Sequence, residues 1–172
     1  GQTPLEWLSS ENWHAEQLSS RGRLPESVTS QRILVLGAGA LGSAMAELLV
    51  RAGAHTIRVA DGERLEAGNL VRHTLDLEMV KFPKASSLSA HLNRLSPHAA
   101  TRGIDQAFPP ADETACAAMR QCDVILDCTG QDEMLHHLEH FDWGEPKLFI
   151  SVSVGVDAQR LFCFSAVGTA FP

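Results

Sequence analysis

Apolar positions along this chain follow two alternating rhythms. Short, nearly continuous apolar runs read as strands buried on both faces. Between them, apolar residues three and four apart read as helices packed on a sheet. The runs are "RILVLG" (32–37), "TIRVAD" (56–61), a segment near 99–104, "DVILDCTG" (123–130), "KLFISVS" (147–153) and "QRLFCFSAV" (159–167). The helical stretches are 40–53, 84–97, near 112–121 and near 131–140. In the second of these, Leu88, Leu92 and Leu95 mark the packed side and Pro97 stops the helix. Strands alternating with helices predict an α/β fold with a doubly wound, mostly parallel sheet. The connection from 153 to 159 is too short for a crossover helix, so the strand pair at the C-terminal end is expected to be antiparallel.

Upstream of the first strand, Thr3, Pro4 and Glu6 spell a helix start. Thr3 caps, Pro4 fits the first turn and Glu6 completes a capping box. Leu5, Trp7, Leu8, Trp13 and Leu18 would form its apolar side, which calls for burial on the core or on a second subunit. Residues 19–31, rich in Ser, Arg, Pro and Gly, read as a connector. The expected organisation is therefore an N-terminal helix and connector over 1–31 and a nucleotide-binding domain over 32–172, cut short at its C-terminal end. Gly1 stands where an initiator Met would, and no charged segment leads into an apolar one, which suits an excised piece of a longer chain.

The composition narrows the class. With 172 residues, 44% of them hydrophobic and 20% charged, the chain suits one soluble domain with a sizeable core. A net charge of −7 without a basic block argues against nucleic acid or an anionic membrane as a partner. No run of eighteen apolar residues is present to span a bilayer. Cys116, Cys122, Cys128 and Cys163 form no C-x-x-C pair, so neither a zinc site nor a disulfide framework is indicated, and a cytoplasmic location is expected. Cys128 and Cys163 lie inside apolar runs and are expected to be buried packing residues.

The candidate chemistry begins at "GAGALG". Gly37, Gly39 and Gly42 have G-x-G-x-x-G spacing between a strand and a helix, the context of a Rossmann-like phosphate loop. The helix N-terminus that follows favours an anion. Asp61 lies nineteen residues beyond Gly42 at the end of the second strand, where a carboxylate can bond ribose hydroxyls. These features alone would suit a dinucleotide and an NAD-dependent oxidoreductase. Asn69, Arg72 and Lys84, just beyond Asp61, suit a nucleoside triphosphate better. Charge-assisted contacts to phosphate are about twice as strong as neutral ones. Attack on an α-phosphate also needs cations around the transferring group and the leaving pyrophosphate. Taken singly, Arg72 and Lys84 would more often be solvated surface. A second cluster, His136, His137 and His140, lies at helical spacing; a polar helix face explains it better than a metal site, since no clear third ligand lies nearby.

These residues together resemble the adenylating domain of the ThiF/MoeB and ubiquitin-activating (E1-like) enzymes. The resemblance runs through "RILVLGAGALGSAMAELLVRAGAHTIRVADGERLEAGNLVRHTLD", "FPKASSLSAHLNRLSPHA" and "DVILDCTG" and covers roughly residues 32–166. It implies ATP and Mg²⁺ as cofactors, phosphate held by the glycine loop and ribose held by Asp61. It implies that Asn69, Arg72 and Lys84 contact the phosphates, with Arg72 and Lys84 as the catalytic pair. The implied reaction is adenylation of the C-terminal carboxylate of a ubiquitin-like or sulfur-carrier protein, with release of pyrophosphate. A homodimer is expected too. The family's catalytic cysteine and zinc-binding C-x-x-C pairs would fall beyond Pro172.

The chain departs from the family pattern at several positions. Gly130 and Gln131 stand where the family usually has Asp-Asn, and that Asp helps to hold Mg²⁺. Asp132 or Glu133 could replace it only through a shifted backbone, so the metal ligand is left unknown, with Asp132 the candidate. Lys81 occupies the position of a usual Gly, and His73 that of a usual Gln. The family's N-terminal arginine motif has no clear match; Arg21 and Arg23 are the nearest residues. A non-catalytic nucleotide-binding or scaffold domain therefore stays open as an alternative.

Overall fold

The structure, a computed structural model, describes residues 8–18 and 21–172. The helix start expected at Thr3–Glu6 lies outside the described residues, as do Leu5 and Trp7. Ahead of the first strand the chain makes one helical turn, α1 (Ala15–Leu18), and a second, α2 (Glu26–Thr29), inside the expected connector. Leu8, Trp13 and Leu18 are exposed, so on the described residues the apolar side expected of this segment is largely uncovered.

The chain then alternates: β1 (Arg32–Leu36), α3 (Ala40–Arg51), β2 (Thr56–Ala60), α4 (Lys84–Leu95), β3 (Ala100–Ile104), α5 (Glu113–Arg120), β4 (Val124–Asp127), α6 (Asp132–His140), β5 (Lys147–Val154) and β6 (Leu161–Gly168). The six strands lie in the order β3-β2-β1-β4-β5-β6. All pairs are parallel except β5 with β6, where Lys147 faces Gly168 and Val154 faces Leu161. The alternation in the sequence thus becomes a doubly wound sheet with an antiparallel final pair.

Because side chains alternate across a strand, β1 feeds two cores. Ile33 and Val35 pack with Val50, Ile57, Val59, Leu88 and Leu92 under α3 and α4. Leu34 and Leu36 pack with Met119, Ile125, Leu138, Trp143 and Phe149 under α5 and α6. Leu34 and Leu36 are fully buried, each contributing roughly 1.5–3 kcal/mol. This double burial is why the central strands read as unbroken apolar runs.

Two readings of the runs need correction. Regular pairing in "DVILDCTG" ends at Asp127. There the Asp127 carboxylate accepts the Thr129 N–H and hydroxyl at 3.0 and 2.7 Å, and a turn replaces the strand. Gly130 then takes φ +65, a left-handed conformation that favours glycine. The second correction concerns Cys163, which is exposed. It lies on β6 at the sheet edge, where Leu161, Phe162, Phe164 and Val167 are also exposed. An apolar run at an edge need not be covered.

Candidate functional site

The strand order reverses between β1 and β4, so a crevice opens at the carboxyl ends of these strands. The glycine loop lies there. A Cβ on Gly42 would collide with the Gly37 carbonyl oxygen and sit 3.4 Å from the Cys128 Cβ, so glycine lets α3 start hard against the end of β1. Gly39 precedes the first residue of α3, and space is open on its Cβ side. Its N–H has no acceptor among the described residues.

Asp61, at the end of β2, braces this loop. Its Oδ2 accepts the Ala38 N–H and its Oδ1 the Glu63 N–H, both at 2.7 Å. A carboxylate has about four acceptor sites, so lone pairs remain for ligand hydroxyls. Asp61 is therefore a loop-holding residue as well as a ribose candidate, a role its spacing alone did not reveal.

Gly37, Gly39 and Asp61 line a cavity of about 490 Å³. That lies within the roughly 300–1,000 Å³ range of small-molecule sites. Lys84 is on its wall and is only 6% exposed. It opens α4, anchored by its N–H on the Glu63 carbonyl at 2.9 Å and by a bridge between Arg64 and Pro83. Its ammonium pairs with the Glu63 carboxylate at 2.5 Å. Phe108 and Met134 supply apolar lining, while Thr129 and Gln131 supply polar lining from the turn after β4.

Asn69 and Arg72 do not line this cavity. Asn69 is held in a capping box with Glu66: its Oδ1 accepts the Glu66 N–H at 2.9 Å. The exposed Arg72 donates to the Gly68 carbonyl at 3.0 Å, one helical turn back. Local hydrogen bonds hold both side chains on their own 3-10 turn. These bonds use the Asn69 Oδ1 and one Arg72 N–H, and leave the Asn69 Nδ2 and the other guanidinium donors for a ligand.

At the start of α6 the structure separates two neighbouring acids. Asp132 does not line the cavity, whereas Glu133 does. His137 lines it too, one turn along from Glu133, with 3.9 Å between Nε2 and the Glu133 carboxylate. His136 and His140 are exposed. Among the described residues no group of three or more His, Cys, Asp or Glu side chains could hold a metal ion. Cys128, on the cavity floor, is no ready nucleophile: burial, with Asp127 nearby, pushes its thiol up to about 12. Glu63, two residues after Asp61, was not singled out by spacing, and Phe108 sits on a loop with no periodic signal.

The fold and the crevice define a Rossmann-like domain with a ligand-sized site at its switch point. The chain belongs to the ThiF family, whose profile matches residues 15–163. It is 44% identical over 171 residues to the ATP-dependent ubiquitin transferase-like protein Cap2 of Enterobacter hormaechei subsp. hoffmannii (strain UCI 50). That match covers 99% of this chain and 28% of the relative. The molybdopterin-synthase adenylyltransferase of Escherichia coli (strain K12) is 32% identical over 105 residues, covering 60% of this chain and 41% of that enzyme. The chain thus spans less than half the length of either relative. The fold also matches E. coli MccB in a crystal structure with ATP, at a TM-score of 0.63 and 15% identity, over 75% of this chain and 38% of MccB. No helix among the described residues is long and apolar enough to cross a membrane.

Proposed function

We propose that this chain is the ATP-binding part of an enzyme that adenylates the C-terminal carboxylate of a ubiquitin-like or sulfur-carrier protein. The observation that carries the reading is one cavity in which a glycine loop, its bracing Asp61 and the buried Lys84 converge. Named relatives that are ATP-dependent or adenylyltransferases support it. In the reaction, a carboxylate oxygen of the carrier bonds to the α-phosphorus. The bond from that phosphorus to the bridging oxygen breaks, and pyrophosphate leaves with the electron pair. Positioning and charge stabilisation suffice, and no protein nucleophile is needed.

N–H groups at the start of α3 hold phosphate, with Gly39 foremost. Asp61 accepts from the ribose, and Phe108 and Met134 offer apolar surface to the base. Lys84 leaves Glu63 to meet the phosphates and the charge that develops on them. Arg72 and Asn69 join through their remaining N–H donors.

Charge also bears on the metal. Asp61, Glu63 and Glu133 line the cavity against the single ammonium of Lys84. A triphosphate would add to this negative excess. The donor set suits Mg²⁺ carried in on the nucleotide, since that ion needs only one or two carboxylates besides phosphates and water. Glu133, on the cavity wall, would hold it, with Asp132 second. When bound, Mg²⁺ would neutralise phosphate charge. A second copy of the chain would complete the assembly. The apolar groove beside α3, lined by Met45, Leu49, Leu148, Ile150 and Leu161, is the surface it would cover.

Mg²⁺-dependent ATP–pyrophosphate exchange with an authentic carrier protein tests the reading. Exchange supports it. ATP binding without exchange favours a non-catalytic nucleotide-binding domain, the reading that Gly130 and the outlying Arg72 support.

A further inference from the structure

His73 sits between the 62–83 connection and the glycine loop, and both ring nitrogens are engaged. Nε2 lies 2.6 Å from the Ala38 carbonyl oxygen, and Nδ1 lies 3.1 Å from the Leu75 backbone nitrogen. Each partner permits one role only. A carbonyl can only accept, so Nε2 carries the proton. A backbone N–H can only donate, so Nδ1 is bare. The ring is therefore neutral, in the Nε2–H tautomer. Leu75 is buried at 4% exposure, so the ring is tied to the core on that side.

The consequence lies in the Ala38–Gly39 peptide. That unit is planar and trans, so its carbonyl and its N–H point in opposite directions. A carbonyl drawn toward His73 turns the Gly39 N–H away from it, and this is the loop N–H without an acceptor among the described residues. The preceding Ala38 N–H is held by Asp61. Asp61 and His73 thus grip the residue before Gly39 from its two ends.

We propose that His73 is a positioning residue that sets the anion-binding N–H of the glycine loop, and that a proton on Nδ1 unties the ring from Leu75. Protonation would set an N–H against the Leu75 N–H. Burial, chiefly, lowers the affinity of His73 for a proton below its ordinary value of 6.5. Against burial, the Ala38 carbonyl favours the imidazolium; of the charges facing the ring, Lys84 from α4 and Arg72 from its own segment disfavour it, and Asp61 just after β2 favours it. The tie to Leu75 is therefore complete above pH ~6.5 and is lost as pH falls from there through the lowered value, while the bond to the Ala38 carbonyl stays.

The positioning role serves the nucleotide reading above, but its test does not depend on it. Imidazole ¹⁵N and backbone amide NMR would be recorded from pH 5 to 8 on the chain and on His73→Gln, whose amide keeps a donor and an acceptor but does not titrate. We expect a bare Nδ1 in the chain, with the Gly39 and Leu75 amides shifting along the His73 titration and staying flat in His73→Gln. A protonated Nδ1 at neutral pH, or a Gly39 amide indifferent to the titration, would overturn the proposal. Calorimetry with ATP adds a second arm. His73→Ala should bind about three- to tenfold more weakly at pH 7.5, the scale of one hydrogen bond. His73→Gln should bind within about twofold of the parent there and lack the parent's extra loss at pH 5.5. The γ-phosphate titrates in the same range, so the two proteins are compared at each pH. If ATP binds none of them, the nucleotide reading fails and the NMR result still decides the role of His73.

Discussion

Two concavities among the described residues differ in kind. The groove beside α3 is the larger, at about 620 Å³ against 490 Å³, yet aliphatic side chains from α3, β1, β4 and β5 make up most of its wall. The smaller cavity gathers a glycine loop, three carboxylates and a buried ammonium. Size therefore does not mark the candidate site. Convergent polar groups fixed by backbone do. The groove offers area without direction, which suits a protein surface. The cavity offers direction, which suits a ligand with charge and hydroxyls.

Removing the cavity's one buried cation should have the largest effect. Lys84→Ala is expected to slow ATP–pyrophosphate exchange about 10²–10³-fold, roughly 2.7–4 kcal/mol, as for other lost transition-state contacts. An unchanged rate would move the catalytic charge elsewhere, to Arg72 first. Asp61→Ala should weaken ATP binding by about 1.5–3 kcal/mol, the scale of a hydrogen bond to a charged group. It should also loosen the glycine loop, so the Ala38 amide should exchange faster with solvent. Loss of affinity with no change at Ala38 would separate ribose binding from loop support.

Changes outside the cavity should do less. Lys81 holds φ +75, with its N–H on the Leu65 carbonyl and its own carbonyl accepting from Arg64, each at 2.8 Å. Relief of left-handed strain, about 1–2 kcal/mol, less the chain entropy of glycine, about 0.5–1 kcal/mol, leaves a net gain for Lys81→Gly of about 0–1.5 kcal/mol. Its thermal midpoint should rise by about 2–4 °C with ATP affinity unchanged. A fall would show that the Lys81 side chain contributes more than its backbone strain costs.

The same contrast explains what could be read ahead of the structure. Gly37, Gly39, Gly42, Asp61 and Lys84 were legible because motif spacing reports backbone geometry, and the core strands because burial on both faces leaves an unbroken apolar run. Asn69 and Arg72 were legible as a motif but not as positions. Their hydrogen bonds to Glu66 and Gly68 are decided by a 3-10 turn that spacing does not reveal. Glu133 and His137 follow the i, i+4 rule of a helix side, but that rule cannot say which side meets the cavity. Phe108 reaches it from an irregular loop. Cys163 and its neighbours misled because an edge strand and a central strand share the same composition.

The central claim is that the cavity takes a nucleoside triphosphate and not a dinucleotide. Calorimetry with ATP, AMP and NAD, each with and without Mg²⁺, tests it most directly. ATP with Mg²⁺ should bind at least about tenfold more tightly than NAD, a difference of about 1.4 kcal/mol, and should weaken when the metal is withheld. NAD binding as tight as ATP or tighter, with no dependence on Mg²⁺, would contradict the account.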